Sequence, residues 1–217
     1  PGGYDQNQDL DTPNASDGVG RALFAVNVAS GNLVPSFNIN AVSDPSLGMS
    51  HSIVDSTALD HDGDGFHSRV YAGDLGGNLF ALRDDEMVTY AECSISLNIV
   101  DGVGSKKKLF DASYDDNIQR KILYAPDAVA EHYGEMIFFG TGDRSDPGET
   151  GVVNRFYAVK NDWASTATLT ESNLVDVTGD KIQLGNDTDK AGVKALLETE
   201  NGWYIKLQNP GENVRSP

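Results

Sequence analysis

Residues 60–68 contain three aspartates at alternating positions, with Gly63 between the second and the third and Gly65 after the third. Carboxylates held this close repel one another unless a cation lies between them, and hard oxygen ligands favour Ca²⁺, which takes about six to eight of them. In an EF-hand-like loop the ligands come from alternating positions, and a glycine at the sixth position permits the sharp turn. We therefore predict a Ca²⁺ site with the ligands Asp60, Asp62, Asp64, Phe66 (through its backbone carbonyl) and Ser68.

The chain after this loop does not continue as an EF-hand. An EF-hand has a bidentate Glu at the twelfth position and then a helix, whereas Tyr71 stands at that position here. Residues 69–75 include Val, Tyr and Leu and precede Gly76 and Gly77, a pattern that favours a strand and a tight turn. The loop is thus predicted to lie on a β scaffold. The alternative is a metal-free turn whose aspartates bond to their own backbone.

The other polar residues predict neither a second metal site nor a catalytic site. A second acidic loop, at residues 143–149, lacks the alternating spacing and is interpreted as a turn. His61 and His67 flank the first loop at non-ligand positions, and we expect both to face solvent. The histidines lack the spacing of zinc ligands. The sequence has no nucleophile elbow, phosphate-binding loop or Cys/His pair, so we predict that the protein is not an enzyme.

Composition excludes some classes of partner. The 217 residues carry a net charge of -17, which argues against binding to nucleic acid, since that needs basic patches. The only basic cluster, residues 106–108, is expected on a solvated strand edge. No segment reaches the ~20 apolar residues of a membrane-spanning helix. The acidity is compatible with a calcium-rich extracellular setting, and the 23 glycines suit many short strands joined by turns.

Three segments of the chain resemble one another. Residues 21–27, 77–83 and 154–160 each contain an aromatic residue, then Ala, then an aliphatic residue. A strand-like run that ends in an aspartate precedes each segment. These aspartates, Asp5, Asp74 and Asp143, are 69 residues apart, which indicates an internal repeat of that length.

Each repeat is predicted to be a four-stranded antiparallel meander, the unit of a β-propeller blade. The predicted strands of the second unit are residues 51–59, 69–74, 78–83 and 108–112. Those of the third unit are residues 122–130, 136–141, 155–160 and 203–207, with a helix at 190–200 in an insertion.

The predicted fold class is therefore all-β. We expect a fragment of a β-propeller with about three four-stranded antiparallel blades and long loop insertions. Residues 1–40 would form a partial blade, 48–115 the blade with the calcium loop, 118–208 a blade with insertions, and 209–217 the start of the link to a next blade. The remaining blades of the same protein would then be its first partners.

The calcium loop and the strand after it resemble the C-terminal propeller of PilY/PilC-type proteins of type IV pili. The resemblance rests on the aspartates and glycines of residues 60–65 running into 69–79, and is supported by residues 108–112, 139–143 and 202–207. It implies a secreted bacterial protein at the pilus tip or cell surface. Such a protein acts in pilus assembly, opposes retraction and adheres to host or abiotic surfaces. The implied partners are minor pilins, and the implied cofactor is Ca²⁺.

One ligand departs from the family pattern, and two other functions stay open. The family usually has Asp at the ninth loop position, where Ser68 supplies a neutral oxygen, so we expect weaker Ca²⁺ binding. A quinoprotein-like propeller dehydrogenase is one alternative, because residues 24–33 are similar to the repeat of quinone-dependent propellers. That repeat ends in Trp, whereas Val34 follows here. The other alternative is a surface-display propeller unrelated to pili.

Overall fold

A computed structural model of the chain describes residues 16–34, 37–61, 63, 65, 67–83, 106–131, 134–146, 148–209 and 211–214. Within these ranges the fold consists of three sheets and one α-helix, so the predicted all-β class is confirmed. In the same part of the chain, no helix has the length and apolar character that crossing a bilayer requires. The sheets contain two, four and five strands.

The four-stranded sheet follows chain order. It is formed by β3 (Ile53–Leu59), β4 (Arg69–Asp74), β5 (Asn78–Arg83) and β6 (Lys106–Asp111). Neighbouring strands are antiparallel throughout. All four strands occur where the sequence predicts them, with β6 starting two residues earlier than expected.

The repeated aspartate explains the tight turn between β4 and β5. Asp74 is fully buried, and its carboxylate accepts hydrogen bonds from the amides of Gly76 (2.9 Å) and Asn78 (2.7 Å). Gly77 has a φ of 87°, which the turn needs and which a glycine adopts without strain. Asp143 accepts similarly from the amide of Ser145 at 2.8 Å. At Asp74 and Asp143 the repeated aspartate thus caps the turn after a strand, whereas Asp5 lies outside the described residues.

The five-stranded sheet contains the four predicted strands and a short additional one. It is formed by β7 (Asp127–Glu131), β8 (Gly134–Gly140), β9 (Arg155–Asn161), β10 (Val175–Asp176) and β11 (Gly202–Lys206). The order is β10-β11-β9-β8-β7, and β10 runs parallel to β11. The helix α1 (Asp187–Thr199) lies between β10 and β11 and covers most of the predicted residues 190–200.

The first of the predicted strands in this unit starts later than expected. It begins at Asp127 instead of residue 122, because the preceding segment packs on the other sheet. The amide of Ile122 donates to the carbonyl of Asp74 at 3.0 Å, and the Ile122 side chain is fully buried. Ile122 is apolar, as a buried strand residue would be, but it packs between the two sheets and is not part of a strand.

The first predicted unit forms little regular structure in the described residues. Its sheet consists of β1 (Ala22–Leu23) and β2 (Ile39–Asn40) alone, so the strand expected at 21–27 is only two residues long. An isolated bridge joins Val26 and Leu33, and both side chains are about half exposed. The predicted strand at residues 2–5 lies outside the described residues.

The four-stranded sheet is buried on both faces. Successive residues of β5 point to opposite sides, which explains why this short strand is apolar on both. The cluster on one side joins the two larger sheets and includes Tyr71, Leu79, Phe110, Ile137, Phe139 and Tyr157. The cluster on the other side includes Ile39, Leu47, Met49, Ile53, Phe80 and Leu82.

The outer edge of β6 is covered, contrary to the expectation of a solvated edge. Leu169, from the connection after β9, bridges to Phe110 in parallel, with backbone hydrogen bonds of 2.9 Å in both directions. Lys107 is buried, and its ammonium donates to the carbonyls of Asp162 (2.6 Å) and Ser165 (2.9 Å). The prediction failed for Lys107 because these acceptors come from a distant part of the chain.

Candidate metal site and the carboxylate cluster beside it

The predicted calcium loop connects β3 to β4 at the end of the four-stranded sheet. The amide of Ser68 donates to the carbonyl of Leu59 at 3.1 Å and closes the base of the loop. Of the five predicted ligands, Asp60 and Ser68 lie in the described residues. Asp62, Asp64 and Phe66 lie outside them, so the ligand set stays a prediction.

The backbone of the loop curls around the carboxylate of Asp60. One Asp60 oxygen accepts from the amide of Gly63 at 2.8 Å, and the other accepts from the amide of Gly65 at 2.9 Å. Both glycines have positive φ, 76° and 93°, so this curl needs glycine at both positions. The predicted metal-ligand atoms are all oxygens, which are the ligands that a hard cation prefers. The described part of the loop is therefore compatible with Ca²⁺, and it is also compatible with the metal-free turn, in which aspartates bond to their own backbone.

A metal cluster is not formed by the described side chains alone. Among the residues that the structure describes, no group of three or more His, Cys, Asp or Glu side chains is placed to hold an ion. At the predicted calcium loop, Asp62 and Asp64 would complete such a group with Asp60, but both lie outside the described residues. The second acidic loop forms a turn, as predicted, with Asp143 bonded to Ser145 and paired with Lys121.

A buried carboxylate that the sequence did not single out lies beside the loop. Glu135, on β8, is 3% exposed. One of its oxygens, Oε1, accepts from Nε of Arg69 at 2.9 Å. The other, Oε2, accepts from the hydroxyl of Tyr71, from Nδ2 of Asn161 at 2.9 Å and from Nε1 of Trp163 at 2.7 Å. Glu135 thus joins β4 of one sheet to β8 and β9 of the other.

These donors keep Glu135 ionised. Burial alone would raise the pKa of Glu135, but the hydrogen bonds from Tyr71, Trp163 and Arg69 outweigh it and hold the pKa below its ordinary value. Burial and the negative charge of Glu135 raise the pKa of Tyr71, which therefore stays a neutral hydrogen-bond donor. The cluster is a carboxylate with one permanent cation, Arg69, and several neutral donors.

Two residues connect the loop to Glu135. His61, at the second loop position, has its Nδ1 3.0 Å from Oε1 of Glu135, in a close contact without hydrogen-bond geometry. Arg69 donates from Nη1 to the carbonyl of Ser68 at 2.9 Å while its Nε bonds to Glu135. The expectation that His61 faces solvent is wrong, because Glu135 draws it towards the other sheet. His67 is exposed, as expected.

A cleft of about 710 Å³ opens next to this cluster. Arg69, Arg83 and Lys107 surround the ring of Trp163, with their cationic atoms 5.0–5.6 Å from its centroid. Such cation–π contacts bind residues of the four-stranded sheet to the connection after β9. Glu135 and Asp162 also line the cleft, so both signs of charge are present.

Glu135 was missed although one sequence signal points to it. On a strand, alternate residues share a face. Glu135 therefore lies on the same face of β8 as Ile137 and Phe139, which are both buried. A charged residue on a buried face requires a partner. The partners come from elements far apart in the chain, and their meeting cannot be read from spacing.

The chain matches no family model and no curated protein, but it resembles a solved structure. The solved structure is the crystal structure of the PilY1 C-terminal domain of Pseudomonas aeruginosa, with a TM-score of 0.58 and 17% sequence identity. The similarity covers 89% of this chain and 46% of that domain, so the chain spans about half of the domain's length. The resemblance expected from the sequence is thus confirmed at the level of the fold, which this chain shares with part of the PilY1 C-terminal domain.

Proposed function

We propose that this chain is part of the calcium-binding propeller of a type IV pilus-associated protein. In this proposal it acts without catalysis in pilus assembly, in the control of retraction and in adhesion. It is located outside the bacterial cell, at the cell surface or pilus tip, where it contacts minor pilins and a host or abiotic surface. The observation that carries the proposal is the aspartate loop at the β3–β4 connection of a fold shared with the PilY1 C-terminal domain.

The propeller part of the proposal is supported by the two larger sheets. Each contains four antiparallel strands in the predicted places, and their facing sides share one apolar cluster. The four-stranded sheet is buried on its other face as well. Sheets that are covered on both faces by neighbours are typical of consecutive propeller blades. We interpret the four-stranded sheet as one blade and the five-stranded sheet as the next.

The calcium part is supported by the curled backbone around Asp60. Asp60, Asp62, Asp64, the carbonyl of Phe66 and Ser68 would hold the ion. Bound Ca²⁺ would offset two of the three negative charges of the carboxylates and hold the ends of β3 and β4 together. With one neutral ligand in place of a carboxylate, we expect a dissociation constant of about 10⁻⁵ to 10⁻³ M.

Calorimetry of the whole chain tests the calcium site. Wild type should bind about one Ca²⁺, and Asp64→Ala should remove the heat. Asp146→Asn, in the second acidic loop, is the matched control and should bind as wild type does. No calcium heat in the wild type would refute the site.

A second experiment tests the pilus role. Immobilised chain should retain purified minor pilins, whereas retention of none would favour a display protein unrelated to pili. Visible absorbance from a bound quinone would instead favour the dehydrogenase.

A further inference from the structure

We propose that Glu135 is a positioning residue for the calcium loop and that it couples calcium binding to the packing of the two larger sheets. This inference rests on the proposed calcium function. Glu135 is 66 residues from Arg69 in the chain and belongs to the neighbouring sheet. It makes no bond to a predicted ligand side chain among the described residues, so its effect on the loop must pass through others.

The loop side of this connection has two contacts. His61 lies between the predicted ligands Asp60 and Asp62, and its ring nitrogen is 3.0 Å from Oε1 of Glu135. Arg69 bonds to that same oxygen and to the carbonyl of Ser68, the last predicted ligand. Both ends of the loop therefore lie against a single carboxylate oxygen, the first through the close approach of His61 and the second through the hydrogen bonds of Arg69. A shift of that oxygen would move the second loop position and the backbone of the ninth.

The sheet side of the connection uses the other oxygen. Oε2 accepts from Tyr71, Asn161 and Trp163, and Nδ2 of Asn161 also donates to the Tyr71 hydroxyl at 3.0 Å. These donors are buried or partly buried, so water cannot replace them without cost. Oε2 is thereby fixed relative to both sheets. Since one carboxylate carries both oxygens, the position of the loop and the separation of the sheets cannot vary independently.

Because coupling between two sites acts in both directions, calcium binding must also affect the packing of the two sheets. If the fixed carboxylate favours the ion-binding form of the loop, then bound calcium must favour the packing that fixes the carboxylate, by the same factor. Coupling of this kind typically changes an affinity by about 5- to 150-fold. We expect a change of about tenfold, in the lower part of this range, because the two loop-side contacts hold the loop together with the closing bond between Ser68 and Leu59.

Calcium titration of Glu135→Gln measures this coupling. Glutamine keeps the size of the side chain but removes its charge and presents an NH₂ group to the surrounding donors. Calcium should bind about tenfold more weakly, while every predicted ligand is still present. The increase in melting temperature that calcium gives the wild type should shrink in the variant.

Glu171→Gln is the matched control. Glu171 accepts from Nε of Arg155 at 3.2 Å and from the hydroxyl of Tyr157 at 2.6 Å, an arginine and a tyrosine two residues apart, as at Glu135. It thus matches the chemistry of the Glu135 cluster without the connection to the loop. A destabilisation that is merely structural would affect both variants, whereas only Glu135→Gln should lose calcium affinity.

The fluorescence emission of Trp163 provides a second measurement. In the folded protein it would not change if the variants affected only the overall stability. In a Trp203→Phe background, Trp163 is the only tryptophan, and its Nε1 bonds directly to Glu135. Saturating calcium should alter its emission in the folded protein. His61→Gln, which leaves the bonds to the other sheet in place, should reduce that change and should weaken calcium binding by severalfold. This second variant decides the question if Glu135→Gln does not fold.

The outcomes separate this inference from the proposed function. If the wild type binds no calcium, both are refuted. If the wild type binds calcium but Glu135→Gln and His61→Gln bind it equally well, the coupling is refuted and the calcium site stands. Tenfold weaker binding in Glu135→Gln together with unchanged binding in Glu171→Gln supports the coupling.

Discussion

Gly73 lies directly against Ile122, so that the backbone of β4 touches the side chain of the segment that leads to the next sheet. A Cβ on Gly73 would overlap Cγ2 of Ile122 and would be 2.8 Å from its Cβ. Gly140 of β8 is in a similar contact with Val214. In each case a glycine permits the chain that follows a sheet to pack across it.

Replacing Gly73 should destabilise the protein. Gly73→Ala forces Ile122 to move within a closely packed core, which typically costs about 1–3 kcal/mol. Urea unfolding should show this loss. The cost of Gly73→Ala should be smaller in an Ile122→Ala background, since the overlapping methyl groups are then absent. Gly192→Ala, in the exposed part of α1 with open space around it, should instead stabilise by up to about 1 kcal/mol.

Replacing Asp74 should change how stability depends on pH. Burial raises the pKa of Asp74 to about 7, despite the opposing hydrogen bonds from Asn78 and Gly76. The folded protein therefore holds this proton more tightly than the unfolded chain does. The contribution of Asp74 to stability is fully present below about pH 4 and is lost as the pH rises to about 7.

Asp74→Asn keeps the shape of the protonated acid and should remove this dependence. Between pH 4 and pH 8, the unfolding free energy of wild type should fall relative to that of Asp74→Asn by an amount on the order of 3 kcal/mol. Urea titrations at several pH values measure the difference. A difference that stays constant with pH would contradict the prediction.

Replacing Arg120 should weaken the connection between the two larger sheets. Arg120 is 1% exposed, and it donates to the carbonyls of Ala112 at 2.9 Å and Val153 at 3.1 Å while pairing with Asp116. Arg120→Met leaves both carbonyls without these donors and should cost about 3 kcal/mol in chemical denaturation. Arg144→Met is the control. Because Arg144 is exposed, this change should lower the free energy of unfolding by less than about 0.5 kcal/mol.

Replacing Tyr71 tests the hydrogen bonds of the Glu135 cluster without changing its charge. Tyr71→Phe removes the hydroxyl that donates to Glu135 and accepts from Asn161. The loss should be about 1–2 kcal/mol by thermal or chemical unfolding. Tyr114→Phe is the control, because Tyr114 is 73% exposed and its hydroxyl can bond to water. Equal losses in both variants would contradict the structural role of Tyr71.

The strands could be predicted where local sequence and tertiary environment agree. Residues 78–83 follow a Gly-Gly turn and are apolar from Leu79 to Leu82, and they form β5 as expected. The prediction failed where a contact from far along the chain decides the outcome. Ile122 is apolar but packs on Gly73 instead of starting a strand, and Lys107 is charged but is buried against carbonyls 55 and 58 residues later.

The candidate site likewise has one part that the sequence predicts and one part that it does not. Alternating aspartates and glycines are a local pattern, so the loop at Asp60 could be recognised from spacing alone. Glu135 carries no such pattern, and its donors on three strands or connections meet only when two sheets pack together. Spacing along the chain therefore predicted the residues that would touch an ion, but not those that hold the loop in place.

The bridge from Leu169 to β6 bears on the order in which this protein folds. The last strand of the four-stranded sheet is covered by a segment that follows it by about 60 residues, with Thr168 also bonded to the carbonyl of Lys108. During synthesis the edge of β6 therefore stays open to wrong pairing until β9, the third strand of the next sheet, has been made and the chain has reached Leu169. We therefore expect the two sheets to fold together, and a chain that is interrupted after β6 to expose an unpaired strand edge that favours aggregation.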